Sequence, residues 1–292
     1  MKNSNTLILG TWQFGGSFGY WQDQGKDNSK AVIKAAISNG ITTFDTAYSY
    51  QNTETLLSSV LPKEAKLYTK IQPVPSFEKK ILISLKRLKR ESLEAIFIHW
   101  PTSNTPLLLE CIDTLQELKD KGLCKQIGYS NFPLSLLKTL PKPDILQRAI
   151  SLLWQQDLAE TQLWCQTNEV KLAGYSPLAM GLLSGKYKTK ADLTDNRQNY
   201  YALSYPVLFT ELLRNLCILA TKYNTTPSLI ALTWARAMAD FTIFGARNSK
   251  ELKELVTPLC LTEEDLLYLT EQGKTISSLA TMDNQLNHRW ME

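Results

Sequence analysis

Short apolar runs alternate with longer amphipathic stretches along almost the whole chain. Short runs rich in β-branched and aromatic side chains predict strands, and apolar positions spaced three and four apart predict helices. The predicted strands are Thr6–Thr11, Thr42–Ala47, Lys66–Ile71, Ala95–Trp100, Lys125–Ser130, Asp144–Ala149, Glu169–Ser176 and Thr242–Ala246. The clearest predicted helices are Ala31–Ser38, Leu107–Lys121, Leu208–Lys222 and Pro227–Met238.

Regular alternation of strand and helix implies a parallel sheet with right-handed crossovers, which both an open doubly wound sheet and a closed barrel satisfy. An open sheet that binds a dinucleotide usually carries GxGxxG after its first strand. Here the first strand runs into GTWQFGG, residues 10–16, which lacks that fingerprint. The pattern therefore favours the α/β class and a (β/α)8 TIM barrel, with one domain over residues 1–292.

Two polar stretches without apolar periodicity are predicted to be surface loops. They are Gly19–Asn28 and Lys186–Tyr201. Long loops at the end of a barrel often cover the site. We therefore expect the second stretch to act as a flap over the barrel mouth.

Composition and charge narrow the classes of function. The chain has 43% hydrophobic and 21% charged residues and a net charge of +4, as ordinary soluble globular proteins do. The densest basic run, Lys86–Arg90, is expected to be a solvated helix face, so no nucleic-acid partner is predicted. No run reaches the roughly 18 apolar residues of a membrane span, and no signal-peptide pattern begins the chain. We expect a cytoplasmic protein without a membrane partner.

Residue types that bind metals are sparse. The five cysteines are scattered without a CxxC pair, which fits reduced thiols that mostly fill the core. The chain has only two histidines, His99 and His288. A zinc site is therefore not expected.

Four ionisable side chains stand at the ends of three predicted strands. They are Asp45 and Tyr50 in ITTFDTAYSY, Lys70 at the end of KLYTK, and His99 after EAIFI. Because the carboxyl ends of barrel strands meet at one mouth, these side chains are expected to converge there. Each alone is as easily a structural residue, so their joint placement carries the prediction of chemistry.

The chain resembles the aldo-keto reductase family in a series of separate motifs. In chain order the motifs are Leu9–Trp12, Phe44–Tyr50, Tyr68–Lys70, His99–Pro101, Ile127–Phe132, Tyr175–Leu178, Gly181–Tyr187 and Phe244–Arg247. Their order and spacing cover nearly the whole chain. The resemblance implies a (β/α)8 barrel that binds a nicotinamide cofactor without a Rossmann fold.

The resemblance assigns a role to each of the four ionisable residues. Tyr50 matches the general acid, Lys70 and Asp45 match the pair that tunes it, and His99 matches the residue that orients the carbonyl. A free phenol with a pKa of about 10 is a poor proton donor near neutrality, and a nearby ammonium lowers that pKa. We therefore expect Lys70 to lower the pKa of Tyr50. We expect His99 to hydrogen-bond the carbonyl oxygen.

The same resemblance implies a cofactor site built from several strand ends. Positions that match the nicotinamide site are Ser130, Asn131 and Gln147 at the carboxamide and Tyr175 against the ring. Positions that match the pyrophosphate loop, where backbone N–H groups face the diphosphate, are Ser176, Leu178, Gly181, Leu183 and Ser184. Further expected cofactor contacts are Gly10, Thr11, Trp12, Asp45, Gly245, Arg247, Glu251 and Glu254.

Two residues after the last strand bear on the identity of the cofactor. Arg247 is expected to meet the 2′-phosphate of NADP, although a surface arginine without function is the alternative. Glu251 stands where the family tends to have Arg or Gln. A carboxylate there is expected to repel a 2′-phosphate. NADP is the expected cofactor, and NAD stays open.

The expected substrate pocket is rich in aromatic side chains. Its residues are Trp12, Trp21, Tyr50, His99 and Trp100. Such a ring suits an apolar or ring-bearing carbonyl compound, and core packing explains the aromatics equally well.

The sequence therefore predicts an NAD(P)H-dependent oxidoreductase that interconverts a carbonyl compound and its alcohol, with aldehyde or ketone reduction expected. Two alternatives stay open. One is an NAD(P)+-dependent sugar or alcohol dehydrogenase that uses the same four residue types. The other is a slow-turnover binding subunit that senses its cofactor.

Overall fold

The strands form a closed parallel barrel. A computed structural model describes residues 6–16 and 23–280, and the strands within them are β1 (Thr6–Gly10), β2 (Thr43–Asp45), β3 (Lys66–Ile71), β4 (Leu93–Ile98), β5 (Cys124–Ser130), β6 (Ile145–Ala149), β7 (Lys171–Tyr175) and β8 (Phe241–Phe244). Each strand pairs in parallel with the next in sequence, and β8 closes the sheet on β1. The barrel prediction is confirmed, and every predicted strand agrees to within two residues at each end.

Helices surround the barrel. They are α1 (Lys26–Ser38), α2 (Thr53–Ser58), α3 (Phe77–Leu88), α4 (Thr105–Asp120), α5 (Leu134–Leu137), α6 (Leu158–Thr167), α7 (Pro206–Lys222), α8 (Pro227–Met238), α9 (Ser249–Leu255) and α10 (Glu263–Ser277). The predicted helix Pro227–Met238 is confirmed at both ends. Pro227 occupies its first turn and the Thr226 hydroxyl caps it. Within the described residues, no helix combines the length and apolarity of a membrane span.

Side chains inside the barrel form the floor of the mouth. A buried cluster separate from the larger core consists of Ile8, Tyr68, Ala95, Phe97, Ile145, Ala173 and Ile243. Because strand side chains alternate with a period of two, Lys70 lies on the same face of β3 as Tyr68. Lys70 is therefore one layer closer to the carboxyl ends of the strands.

Gly128 makes room for an aromatic ring in this cluster. Gly128 on β5 is paired with Phe97 on β4. A Cβ atom placed at Gly128 would lie 2.2 Å from ring atoms of Phe97. Glycine at this position therefore allows the ring to fill the barrel interior.

One predicted loop is partly helical. The stretch Gly19–Asn28 contains the first turn of α1, which begins at Lys26. Gly25 turns the chain with a φ of 77°, and its carbonyl accepts a hydrogen bond from the Ser29 hydroxyl at 3.0 Å. Because of this turn, α1 begins at Lys26, before the apolar pattern that predicts a helix from Ala31. Residues 17–22 lie outside the described part of the chain.

The cysteines are free thiols, and the core holds three of them. Cys111, Cys124 and Cys165 are buried, whereas Cys217 and Cys260 are exposed. Burial raises the pKa of the Cys111 and Cys124 thiols to about 11. These two thiols therefore pack as uncharged apolar groups.

Candidate active site

A cavity of about 470 Å³ opens at the carboxyl ends of the strands. The predicted site residues that line it are Gly10, Thr11, Trp12, Asp45, Tyr50, Lys70, His99, Trp100, Ser130, Asn131, Gln147, Tyr175, Ser176, Leu178, Gly181, Ser184, Gly245, Arg247, Glu251 and Glu254. The barrel thus brings side chains from distant segments to one mouth. Leu183 does not line the cavity because it is fully buried in the core. Trp21 lies outside the described residues.

A buried ion pair lies at the base of the cavity. The Lys70 ammonium donates to Asp45 Oδ1 at 2.6 Å and to the Thr46 carbonyl at 2.7 Å. Gln147 donates to the other oxygen of Asp45 at 2.9 Å. Burial raises the pKa of the Asp45 carboxyl and lowers that of the Lys70 ammonium, and their contact opposes both shifts. The pair is therefore held in place by three short hydrogen bonds in a dry setting.

Tyr50 projects into the same cavity. Its ring stacks on Trp12 with centroids 6.2 Å apart, meets the edge of His99 at 6.0 Å, and lies 5.0 Å from Lys70 Nζ. Burial and the Asp45 carboxylate raise the pKa of Tyr50 well above its ordinary value of 10. Tyr50 therefore holds its proton across the neutral range.

The expectation of a lowered Tyr50 pKa is wrong, because the pKa is raised. The Asp45 carboxylate that pairs with Lys70 at 2.6 Å itself raises the pKa of the phenol. Burial then disfavours the phenolate and dominates. The sequence places the three residues in one site without showing which of the two charges prevails.

His99 is neutral. Burial and the Lys70 charge lower its pKa well below 6.5. Its Nδ1 is buried and has no hydrogen-bond partner among the residues that the structure describes. Its backbone is held on both sides, by the Ile71 carbonyl at 2.9 Å and by the Asn131 side chain at 3.0 Å. A neutral imidazole carries one N–H donor and one acceptor, which suits hydrogen bonding to an uncharged carbonyl group.

Amide and hydroxyl groups beside His99 form one network. The Tyr175 hydroxyl donates to Asn131 Oδ1 at 2.6 Å, and Asn131 Nδ2 donates to Ser130 Oγ at 3.0 Å. Asn131 adopts a left-handed φ of 66°, which Asn tolerates better than most residues. Gln147 donates one of its two amide N–H groups to Asp45, so its second N–H and its oxygen are left for a ligand. These groups offer both donors and acceptors to a carboxamide.

The segment after β7 has an unusual backbone. Ser176, Ala179 and Met180 have φ values of 54°, 45° and 55°, and Gly181 has 91°. Left-handed non-glycine residues cluster at ligand sites, where the surrounding structure holds the strain. Residues 176–181 of this segment are all part of the cavity lining. Its role as a pyrophosphate loop stays a prediction.

The sequence did not single out Arg197 as a site residue. It lies in the loop predicted as a flap, and its side chain is 11% exposed and lines the cavity. Its guanidinium pairs with Asp195 at 2.7 Å and donates to the Met180 carbonyl at 3.0 Å. The single arginine in a polar loop expected to cover the mouth was the available signal.

The far end of the cavity carries a charge cluster. Glu251 accepts hydrogen bonds from Lys186 at 2.6 Å and from the Arg247 guanidinium at 3.0 Å. Burial alone would raise the pKa of Glu251, but these hydrogen bonds outweigh burial and lower it to about 2. The carboxylate expected to repel a 2′-phosphate is thus paired with two cations. Lys186, absent from the predicted site, leaves the cluster with one net positive charge.

The side chains present fit an elongated nicotinamide dinucleotide. Gln147 contacts the buried ion pair, and the cavity lining also includes a left-handed loop and the cations Lys186 and Arg247. Of the predicted aromatic side chains, Trp12 stacks on Tyr50 and Trp100 follows His99 in the lining. Trp154 and Tyr200, which the sequence did not single out, also line the cavity. Among the residues that the structure describes, no group of three potential ligands could hold a metal ion.

Comparison with known proteins agrees with this geometry. A model of the aldo/keto reductase family matches residues 6–272. The chain is 29% identical to the chloroplastic pyridoxal reductase of Arabidopsis thaliana, covering 91% of this chain and 82% of that protein. It is 25% identical to the NADH-specific methylglyoxal reductase of Escherichia coli, covering 92% and 94%.

The fold is also similar to that of solved structures. The glycerol dehydrogenase of Gluconobacter oxydans superposes with a TM-score of 0.79 at 24% identity, over 91% of this chain and 90% of that one. At this identity the likeness concerns the barrel fold alone. The family match and the cavity geometry carry the functional argument.

Proposed function

Because this chain belongs to the aldo/keto reductase family, whose members are NAD(P)H-dependent oxidoreductases, we propose that it reduces an aldehyde or ketone to the alcohol with Tyr50 as the general acid. The observation that carries the proposal is one cavity that holds a protonated phenol, a neutral imidazole and a buried Lys70–Asp45 pair. A bound nicotinamide cofactor would supply the hydride to the carbonyl carbon.

Tyr50 supplies the proton. As charge develops on the carbonyl oxygen, the phenol donates its proton to that oxygen. An alkoxide is a stronger base than a phenolate, so the transfer is downhill even from a phenol with a raised pKa. The Lys70 ammonium, 5.0 Å from the ring centroid, stabilises the phenolate that remains.

Asp45 and His99 support this transfer. Asp45 holds Lys70 at one place and keeps it charged despite its burial. His99 offers a neutral N–H to the carbonyl oxygen and so positions it and stabilises the charge that develops there. Its lowered pKa keeps the imidazole from competing with Tyr50 as the proton donor.

NADP is proposed as the cofactor, with NAD as the alternative. Lys186 and Arg247 give the far end of the cavity more positive than negative charge, which favours a 2′-phosphate. Glu251 competes with that phosphate for both cations. The name of the Escherichia coli relative, NADH-specific methylglyoxal reductase, keeps NAD as the alternative.

The substrate is proposed to be an apolar or ring-bearing carbonyl compound. Trp12 and Trp100 line the end of the cavity with Tyr50 and His99. Flat aromatic walls bury an apolar ring well and leave the polar groups to orient the carbonyl. The name of the Arabidopsis relative, a pyridoxal reductase, makes pyridoxal a suitable first test compound.

The substitution Tyr50→Phe tests the mechanism because it removes the proton and keeps the ring. We expect reduction of the best substrate to fall by at least about 100-fold, the lower range for a lost general acid. NADPH binding, followed by quenching of tryptophan fluorescence, is expected to stay within about twofold of the wild type, since the ring still stacks on Trp12. Near-normal turnover by the variant would reject Tyr50 as the general acid.

A further inference from the structure

A buried carboxylate lies on the helix that follows Tyr50 in sequence. Glu54 is in the first turn of α2 and is fully buried, and it is not among the residues that line the cavity. Its Oε1 accepts the Thr69 hydroxyl at 2.9 Å, and its Oε2 accepts the Arg87 guanidinium at 3.4 Å. Because a buried carboxylate persists only when it is paired and hydrogen-bonded, Thr69 and Arg87 hold α2 against β3 and α3.

Arg87 also binds the loop that carries Tyr50, residues 46–53. Its guanidinium donates to the Tyr48 carbonyl at 3.3 Å and lies over the Tyr48 ring, 4.5 Å from the centroid. The Tyr48 N–H donates to the Lys70 carbonyl at 3.0 Å. The loop is therefore fixed between α3 and the strand that carries Lys70, two residues before Tyr50.

Tyr50 depends on this loop for its position. No described residue hydrogen-bonds the Tyr50 hydroxyl. The Tyr50 N–H bonds to the Ala47 carbonyl, and the Tyr50 carbonyl accepts the Thr53 N–H, both at 3.0 Å. Apart from ring contacts, Tyr50 is therefore held in position by backbone hydrogen bonds to its own loop and to α2.

We propose that the Glu54–Arg87 pair is a positioning device for Tyr50, which fastens the loop of residues 46–53 so that the phenol meets the substrate oxygen. This role rests on Tyr50 as the proton donor proposed above. A shift of about 1 Å in a reacting group can cost about 100-fold in rate. Because neither partner lines the cavity, loss of the pair acts on the proton-transfer step and leaves cofactor contacts in place.

The test compares Glu54→Gln, Arg87→Met and Arg87→Lys. Glu54→Gln keeps the shape and the acceptor for Thr69 and removes the charge opposite Arg87. We expect Glu54→Gln and Arg87→Met to lower kcat at least about tenfold while KM and the NADPH Kd change less than about twofold. Arg87→Lys, which keeps the charge, is expected to recover most of kcat.

Asp265→Asn is the matched control for lost stability. Asp265 is also a buried carboxylate, bound by Lys222, Tyr223 and Thr262, and it lies outside the cavity lining. We expect this variant to lose thermal stability and to keep the wild-type kcat. An equal fall of kcat in Asp265→Asn and Glu54→Gln would overturn the proposal, since general destabilisation would explain both.

Two further outcomes separate this proposal from the proposed function. A folded Glu54→Gln protein with wild-type kcat, beside an inactive Tyr50→Phe protein, would remove the positioning role alone. An active Tyr50→Phe protein would instead reject the proton donor itself. If Glu54→Gln and Arg87→Met fail to fold, Glu54→Asp decides, because its shorter carboxylate keeps the charge but withdraws from Arg87: lowered kcat at unchanged NADPH Kd supports the role, and unchanged kcat overturns it.

Discussion

At the residue scale, environment rather than residue type decides what each ionisable side chain does. Tyr50 and His99 are both shifted toward their uncharged forms, because burial costs a charged group its hydration. The Lys70–Asp45 pair keeps its contact at 2.6 Å because each charge compensates the other. The site thus holds an uncharged phenol and an uncharged imidazole beside a compensated ion pair.

The pH dependence of reduction follows from the raised pKa of Tyr50. Only the protonated phenol can donate, so activity is present below this pKa and is lost as pH rises through it. We expect kcat for reduction to show no fall assignable to Tyr50 below about pH 10, the ordinary pKa of a phenol. The measurement is kcat at saturating cofactor and substrate from about pH 6 to about pH 10, so that the range ends at the ordinary pKa of a phenol.

A fall of kcat as pH rises through neutrality would contradict that expectation if the same fall were absent from the residual activity of Tyr50→Phe. It would show that Lys70 governs the phenol after all, as the sequence suggested. The control is the thermal stability of the wild type over the same pH range, because unfolding also lowers kcat at high pH.

At the element scale, the hydrophobic pattern located strands more closely than it located loops. The run Lys66–Ile71 was predicted at both ends because its short stretch of strand-forming residues follows polar residues and is ended by Gln72 and Pro73. The start of α1 was missed because its first residues, Lys26–Asn28, are polar and show no apolar period. A helix start that depends on a glycine turn leaves little trace in such a pattern.

Gly128→Ala tests the packing between β4 and β5. The new Cβ atom would lie 2.2 Å from the Phe97 ring, so the ring or the strand must move. We expect a loss of about 1–3 kcal/mol in the free energy of unfolding, the usual cost of overpacking a core. Urea unfolding of the purified protein measures it.

Phe97→Leu in the same chain is the control for this packing. The smaller side chain should relieve the clash, so the double variant should lose less stability than the sum of the two single variants. Additive losses, or no loss in Gly128→Ala, would contradict the proposed contact.

At the scale of the whole molecule, closure of the barrel brings together charges that the sequence keeps far apart. Lys186 follows β7, and Arg247 and Glu251 follow β8. In the folded chain they form one cluster, with contacts of 2.6 Å and 3.0 Å. In the proposed cofactor site, preference between NADP and NAD is therefore expected to depend on a competition among three side chains rather than on Glu251 alone.

Glu251→Gln tests this competition. Loss of the carboxylate frees Lys186 and Arg247 for a 2′-phosphate, so we expect NADPH to bind about tenfold more tightly, or about 1.4 kcal/mol. NADH, which lacks that phosphate, is expected to bind within about twofold of the wild type. Fluorescence quenching by both cofactors measures the two dissociation constants.

Arg247→Met serves as the opposing control, because it should weaken NADPH binding and leave NADH binding unchanged. If Glu251→Gln tightens NADH and NADPH equally, Glu251 acts elsewhere than at the 2′-phosphate. Weaker NADPH binding in Glu251→Gln would show that the carboxylate orients the two cations for the phosphate instead of competing with it.

The sequence by itself determined the barrel and about half of the residues that line the cavity. Hydrophobic periodicity predicts which positions face a core, and the order of the motifs predicts which side chains lie at strand ends. Both patterns can be read from the chain without its tertiary structure. Only the tertiary structure decided that Tyr50 is shifted toward its protonated form, that Lys186 pairs with Glu251, and that Glu54 meets Arg87 beside the loop of residues 46–53. Burial and charge pairing depend on distances between segments far apart in sequence, and those distances exist only once the barrel has closed.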